Sequence, residues 1–331
     1  MINAAPDAGG VAPFFLLLIV LVADGLIGSL PGLRSLLGAP LAAIRGLTRW
    51  FDHRLNRERR GRGARRIRGL LVAVVVVLLA WGGGVVAQHV ARLLPHGWMV
   101  DALFVLALLG QRERIDRLRG VARSLAAANH DDARDLAGPL VRYDAAALDD
   151  HGVARAAIEG SVARFAEGCV GTVFWYLLLG LPALCVYRMV GAAADVIGRL
   201  SSRHADFGFV ARRLDDALSL VPAMIAGVIV AVAALFVPGT GPIAALRGGG
   251  RDLVDRGARA DFRAEGAMAG ALGLALGGPR PLDGITLPGA WIGEGRARAT
   301  VRDVHRAAVL IIVACLLVAV ALALAVVARD G

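Results

Sequence analysis

The chain contains no lysine; all 37 of its basic residues are arginine. A Walker A loop needs a lysine to reach nucleotide phosphates, so that motif is excluded. The Arg-Gly-Gly-Gly-Arg run at 247–251 lacks a supporting strand and reads as a flexible loop. Cysteine is scarce. Cys169, Cys185 and Cys315 all sit inside apolar runs. An odd count without paired spacing excludes a disulfide framework and a cysteine-based zinc site, and leaves them as small buried hydrophobes. The seven histidines show no metal-ligand spacing. Zinc-protease and catalytic-triad signatures are absent. Aromatic residues make up only 5% of the chain and no recognition motif accompanies them, so nothing points to nucleic acid. Residues 1–10 carry a single charge, Asp7. The first apolar run therefore lacks the basic n-region of a cleavable signal and is expected to remain as a membrane helix.

Apolar residue is what the sequence has in excess. Of 331 residues, 57% are hydrophobic, and mean hydropathy is +0.63, whereas a soluble domain holds roughly 45–50%. The excess comes in blocks. Runs at 11–30, 70–90, 169–186, 217–237 and 307–328 approach the length of about 20 residues that spans a bilayer. A sixth run, 98–110, is short enough to be a tilted, re-entrant or interfacial segment. These blocks predict an all-α, polytopic integral membrane protein. Net charge is +10. It reads either as positive-inside anchoring to anionic lipid or as attraction of an anionic ligand.

The order of these blocks suggests five regions. Residues 1–110 hold N-terminal membrane helices around an Arg-rich segment, 45–68, which is the clearest cytoplasmic marker. Asp24 interrupts the first run, as a functional acid or a helix end. Gly82-Gly83-Gly84 permits close helix contact or a kink. Residues 111–167 form a small, membrane-associated soluble helical region. A charged helix starts near Arg112, with Val121, Leu125, Ala128, Ala133 and Leu136 on one face, and runs to the break at Gly138-Pro139. Residues 168–240 contain two apolar runs with arginine-rich links on both sides, so charge gives no consistent alternation and a hairpin entering from one face is possible. Residues 241–306 are a polar connection in which Gly266/Gly270 and Gly273/Gly277 show small-xxx-small spacing. Residues 307–331 hold the last membrane helix.

Charged side chains crowd the lips of the central runs. Asp215 and Asp216 are adjacent carboxylates, suited either to magnesium, which takes oxygen ligands and substrate phosphates, or to a helix start. Glu159 and Glu167 are eight residues apart on one predicted helix and project to the same side. Glu167 lies where desolvation would make a carboxylate a better proton acceptor; the alternative is a helix-end charge. Arg188, just past an apolar run, is placed to clamp a phosphate or to snorkel as an anchor. Asp131-Asp132 and Asp149-Asp150 read as surface or cap positions.

Taken in order, many residues resemble the CbiB/CobD family of cobalamin biosynthesis, the adenosylcobinamide-phosphate synthases. The resemblance is carried by Ala23-Asp24 with Gly28, Leu140-Val-Arg-Tyr-Asp144, Ala154-Arg-Ala-Ala-Ile-Glu159, Phe174-Trp175, Gly180 with Pro182, and Tyr187-Arg188. It continues through Asp206-Phe-Gly208, Arg213-Leu-Asp-Asp216, Pro222-Ala223, Glu265 to Gly270, Gly277-Gly-Pro279 and Trp291 to Gly295. It implies a multi-span protein of the bacterial inner membrane with its site on the cytoplasmic side. The implied reaction joins adenosylcobyric acid, a corrinoid, to an aminopropanol or its phosphate, using ATP and Mg2+. In that frame Asp215 and Asp216 hold magnesium, Glu159 or Glu167 serves as base, and Arg188, Arg213 and Glu265 bind substrate or phosphate. The lipid bilayer and other membrane enzymes of cobalamin assembly are the implied partners. The sequence departs from the family pattern at polar positions. Val162-Ala163-Arg164 stands where the family reads Ala-Glu-Asn, and Glu167-Gly168 where it reads Asp-Gly. Gly191 to Ala194 replaces Asn-Thr-Leu-Asp, and Ser219 replaces an Asn. These departures define a second expectation: a catalytically degenerate relative that binds a corrinoid, scaffolds the pathway or signals at the membrane as AmpE-type proteins do.

Overall fold

An apolar run can satisfy all its backbone polar groups in lipid only by becoming a helix or closing a barrel; here the runs become helices. The computed structural model describes residues 12–27, 38–57, 61–141, 145–198, 203–255, 262–282, 285–287 and 289–330. Asp7, Gly28, Arg59, Arg60 and Arg142-Tyr143-Asp144 lie outside the described residues. The helices are α1 (Pro13–Ile27), α2 (Ala39–Leu55), α3 (Arg62–Leu93), α4 (Trp98–Leu109), α5 (Gln111–Ala126), α6 (His130–Ala137), α7 (Asp150–Phe165), α8 (Gly171–Ile197), α9 (Phe209–Ala233), α10 (Pro242–Asp255), α11 (Phe262–Leu272) and α12 (Val301–Asp330). A π-turn, Ala166–Val170, joins α7 to α8. Four short strands, β1 (Leu276–Gly277), β2 (Arg280–Leu282), β3 (Ile285–Leu287) and β4 (Trp291–Ile292), pair antiparallel as β1–β4 and β2–β3. Among the described residues, four helical stretches are long and apolar enough to cross a membrane: Arg62–Leu93, Asp150–Ile197, Phe209–Ala233 and Val301–Arg329. The described part of the first apolar run, α1, is shorter, at 15 residues. The fold is all-α and polytopic, as the blocks predict.

The chain divides into two compact units. The first comprises Met1–Leu109, Gly171–Ser219 and Leu322–Gly331. Within it α3 and α8 run along each other. A Cβ at Gly84 would fall 2.5 Å from the Pro182 Cα of α8, and a Cβ at Gly69 would collide with the Phe207 carbonyl in the segment that leads into α9. The absent side chains let the backbones touch. Helix α8 is not straight. Trp175 and Tyr187 are twelve residues apart, which would separate them by about 18 Å along a straight helix, yet their rings stack at 6.1 Å. The chain doubles back at Gly180, which has φ +74° and ψ −161°. Pro182 follows two residues later, and its ring cannot continue a helical hydrogen-bond ladder. So α8 is a hairpin of two helical arms, whatever its length alone would allow. Helix α4, at 12 residues, reaches about 18 Å against a hydrocarbon core of about 30 Å. It buries Val105, Leu108 and Leu109, and its buried Asp101 accepts the Tyr176 hydroxyl at 3.1 Å.

The second unit comprises Gly110–Val170 and Leu220–Ala321. The single charged helix expected over 112–137 is instead two. Helix α5 stops at Ala126, Ala128 takes φ +55°, and Asn129 caps α6 by accepting the Asp132 N–H at 3.3 Å. The local cap outweighs the continuity of the apolar stripe. The i,i+4 pairs are present: Arg112 reaches Asp116 at 3.0 Å and Arg117 reaches Glu113 at 2.7 Å. Asp149 caps α7 through the Gly152 N–H at 2.8 Å. Gly248-Gly249-Gly250, expected as a loop, lies inside α10. A Cβ at Gly248 would collide with the Gly266 carbonyl, and one at Gly270 with the Ala244 carbonyl. The glycines therefore serve close contact between α10 and α11. Gly273 and Gly277 lie beyond the end of α11 with φ +64° and +71°, so the second small-residue pair belongs to the turn after α11 and to strand β1 rather than to a helix contact. Thr300 and Asp303 start α12 with reciprocal bonds: Asp303 Oδ2 accepts the Thr300 N–H at 2.8 Å and the Asp303 N–H donates to the Thr300 carbonyl at 2.9 Å.

Candidate functional site

The candidate residues fall into two groups, one on each unit. In the first unit, α9 carries Arg213, exposed, Asp215, buried, and Asp216, half-buried. Asp215 faces α8: a Cβ added at Gly191 would stand 3.3 Å from its Oδ1. The small run Gly191 to Ala194 is what admits this carboxylate. Half-buried Arg188 sits three residues before Gly191 on the same arm of α8, a spacing that puts both on one helix face. The Trp175 indole N–H donates to the Leu218 carbonyl at 3.1 Å and fixes α9 to the hairpin. Arg213 lies 5.7 Å from the Phe209 ring centroid. The structure thus brings Arg188, Asp215 and Asp216 into one helix pair, with Arg213 at its end. Two adjacent carboxylates offer the oxygen donors that magnesium takes. Among the described residues there is no group of three or more His, Cys, Asp or Glu able to hold a metal, so a cation here would draw its other ligands from substrate and water.

In the second unit, Glu159, Ser161 and Glu265 are buried. Glu159 Oε2 accepts the Gly277 N–H at 3.1 Å, which ties α7 to the first strand of the glycine-rich segment. Glu265 lies in the first turn of α11, where the helix dipole favours a negative charge. Glu167 pairs with Arg164 at 2.9 Å, with side-chain exposures of 12% and 18%. Glu159 and Glu167 do not lie on one α-helix: α7 ends at Phe165, and Glu167 belongs to the π-turn that begins at Ala166. Glu159 points to the Gly277 backbone and Glu167 to Arg164. Nearby, Arg155 donates to the Ala297 carbonyl at 2.8 Å and lies 5.1 Å from the Trp291 ring.

Sequence reasoning missed a buried polar network in the first unit. Asp52 accepts from Asn56 at 2.7 Å and from Arg203 at 3.2 Å, and His204 Nε2 lies 3.2 Å from it. Asn56 and Arg65 both donate to the Arg203 carbonyl. Burial alone would raise the Asp52 carboxyl. Its hydrogen bonds with His204 and Asn56 and the charges of His204 and Arg203 outweigh that, and hold it below the usual carboxylate range. About 150 residues separate Asp52 from Arg203, and no local pattern signals such a pairing.

Comparison with known proteins gives one consistent result. The family model described as CobD/Cbib protein matches residues 17–311. A protein from Sinorhizobium fredii named "Cobalamin biosynthesis protein CobD" is 34% identical over 95% of this chain and 97% of its own length. A protein of the same name from Sinorhizobium sp is 32% identical, over 92% and 95%. One from Brucella melitensis is 31% identical, over 88% and 90%. No solved structure matches the chain.

Proposed function

The chain belongs to the CobD/CbiB family, and from that premise we propose that it works in cobalamin biosynthesis as a membrane enzyme. The reaction we assign is ATP-dependent amide formation between the carboxyl of adenosylcobyric acid and the amine of aminopropanol or its phosphate. The site opens to the cytoplasmic side, where ATP is available and where the Arg-rich segment 45–68 is expected. The observation that carries this reading is the Arg213-Leu-Asp-Asp216 group, whose buried Asp215 faces α8 at Gly191.

The residues of the first unit answer to a nucleotide. Arg188 and Arg213 offer guanidinium donors to phosphate oxygens. Asp215 and Asp216 would hold Mg2+, which supplies charge neutralisation to phosphates when bound. In the second unit Glu159 and Glu167 are the candidates to take the proton an attacking ammonium must lose, and Glu265 binds substrate. Glu159 Oε2 accepts the Gly277 N–H, and Glu167 pairs with Arg164.

One observation favours a second reading, a degenerate corrinoid-binding or scaffolding relative. Arg164 occupies a position where the family pattern has a neutral amide, and it takes up the charge of Glu167. A bacterial strain lacking its own synthase separates the readings. This chain should restore corrinoid amidation, while Asp215→Ala and the milder Asp216→Asn, checked for membrane insertion, should reduce it at least tenfold. Absence of rescue by a stably inserted wild-type chain would overturn the enzymatic reading.

A further inference from the structure

Three guanidinium groups of the first unit gather on a single aromatic ring. Arg66 of α3 lies 5.1 Å from the Phe209 ring centroid, Arg213 lies 5.7 Å away, and Arg212 lies 6.0 Å away. The ring quadrupole attracts each cation, but it does not cancel their mutual repulsion. Asp206, whose Oδ1 accepts the Arg66 Nε–H at 3.1 Å, supplies one counter-charge. Arg66 and Arg213 remain exposed and Phe209 is half-exposed, so the group faces solvent.

This cluster is held in place rather than swept together by flexible chains. The segment before Phe209 is fixed by the Asp52, Asn56 and Arg65 bonds to Arg203 and His204. Gly69 lets the Phe207 carbonyl lie directly on α3, and a Cβ at Gly208 would collide with the Ile197 carbonyl. Phe207 is fully buried. Phe209, Arg212 and Arg213 open α9 as one turn, so the backbone beneath the cluster is set before any ligand arrives. Preorganised cations lose little ordering entropy on binding an anion. The platform also sits at the Arg-rich end of α3. Asp215 lies six residues further along α9, about 9 Å toward the middle of the helix pair.

We propose that Arg66, Arg212 and Arg213 on the Phe209 ring form a binding site for an anionic phosphate group. It rests on the amide-synthase reading only in treating Arg213 as a phosphate ligand; Arg66, Arg212 and Phe209 come from the geometry. The chemistry recognised is a pyrophosphate or phosphoester. Its source is either a soluble polyphosphate or the headgroup of an anionic phospholipid, and the two are separable.

The protein in nanodiscs of phosphatidylcholine alone is titrated with inorganic pyrophosphate by calorimetry. Binding should weaken at least tenfold in Arg66→Gln/Arg213→Gln and measurably in Phe209→Leu, which keeps an apolar side chain but removes the ring. Affinity should also fall steeply as salt rises. Thermal unfolding of each variant checks that the fold is retained. In a second arm, discs containing phosphatidylglycerol are analysed by native mass spectrometry. Lipid retained by the wild type and lost from the double variant, without pyrophosphate binding, assigns the site to a headgroup. Neither ligand bound, or both bound equally by the folded double variant, overturns the proposal. No corrinoid, amine or turnover enters these measurements, so an inactive but pyrophosphate-binding protein would sink the enzymatic reading and leave this site standing.

Discussion

Asp52 shows how much a single side chain can organise. It holds Asn56 on its own helix and reaches Arg203 and His204 across the fold. Its folded pKa is lowered relative to its ordinary value of 3.8. Its carboxylate therefore contributes stability that is present above about pH 4 and is lost as pH falls through the folded value. Asp52→Asn should cost about 1–3 kcal/mol at pH 7, toward the lower end because Arg203 is half-exposed. Thermal unfolding in detergent at pH 7 and again below pH 4 checks this, and the gap between variant and wild type should close in acid. At this scale the sequence was partly legible. Asp149 was foreseen as a cap position and is one. Adjacent carboxylates suit magnesium and a guanidinium suits phosphate, which is why the sequence singles out Asp215-Asp216 and Arg188; the family resemblance adds Arg213. The partners were not legible. Arg164 and Glu167 meet as an i,i+3 pair, and that Phe209 would collect three arginines depends on how α3 meets the start of α9.

Among the elements, the α8 hairpin sets the most positions. The sequence offers a 169–186 apolar run with Gly180 and Pro182 inside it, which length alone reads as a crossing helix. The turn at Gly180 makes it two arms, and folding back brings Trp175 onto Tyr187. A helix-period pattern carries no information about where a chain reverses within a continuous apolar run; the hairpin that the sequence leaves open joins the runs 169–186 and 217–237, and the reversal at Gly180 is a finding of the structure. The glycines of α3 separate packing from composition. A side chain at Gly84 meets the Pro182 backbone, whereas one at Gly83 meets nothing within 4 Å. Gly84→Ala should destabilise the protein by about 1–3 kcal/mol through overpacking. Gly83→Ala should be neutral or stabilising by up to about 1 kcal/mol, because alanine favours the helix. Paired thermal unfolding curves in one detergent compare them. Equal effects at both positions would mean that α3 does not contact α8 at Gly84.

For the molecule as a whole, long apolar blocks made the membrane class and helical fold readable from composition, since a bilayer leaves few alternatives. The polar segment 241–306 was less readable. Its glycines serve helix contact in α10 and α11 as well as turns, and composition alone cannot tell the two uses apart. The proposed orientation, with the arginines of 45–68 on the inner face, rests on the positive-inside rule. A single cysteine at Arg54→Cys should be labelled by a membrane-impermeant maleimide only when the inner face is opened. Cys169 and Cys185 are buried, and Cys315→Ser removes the remaining background. The central claim is that this chain forms an amide on a corrinoid acid, with Glu159 taking part. It is tested most directly by supplying purified protein in nanodiscs with adenosylcobyric acid, aminopropanol phosphate, ATP and Mg2+, and measuring adenosylcobinamide phosphate by mass spectrometry. The wild type should form product with ATP consumed in step, and Glu159→Gln, which can still accept the Gly277 N–H, should slow it at least tenfold. A folded wild-type protein that makes no product would contradict the account.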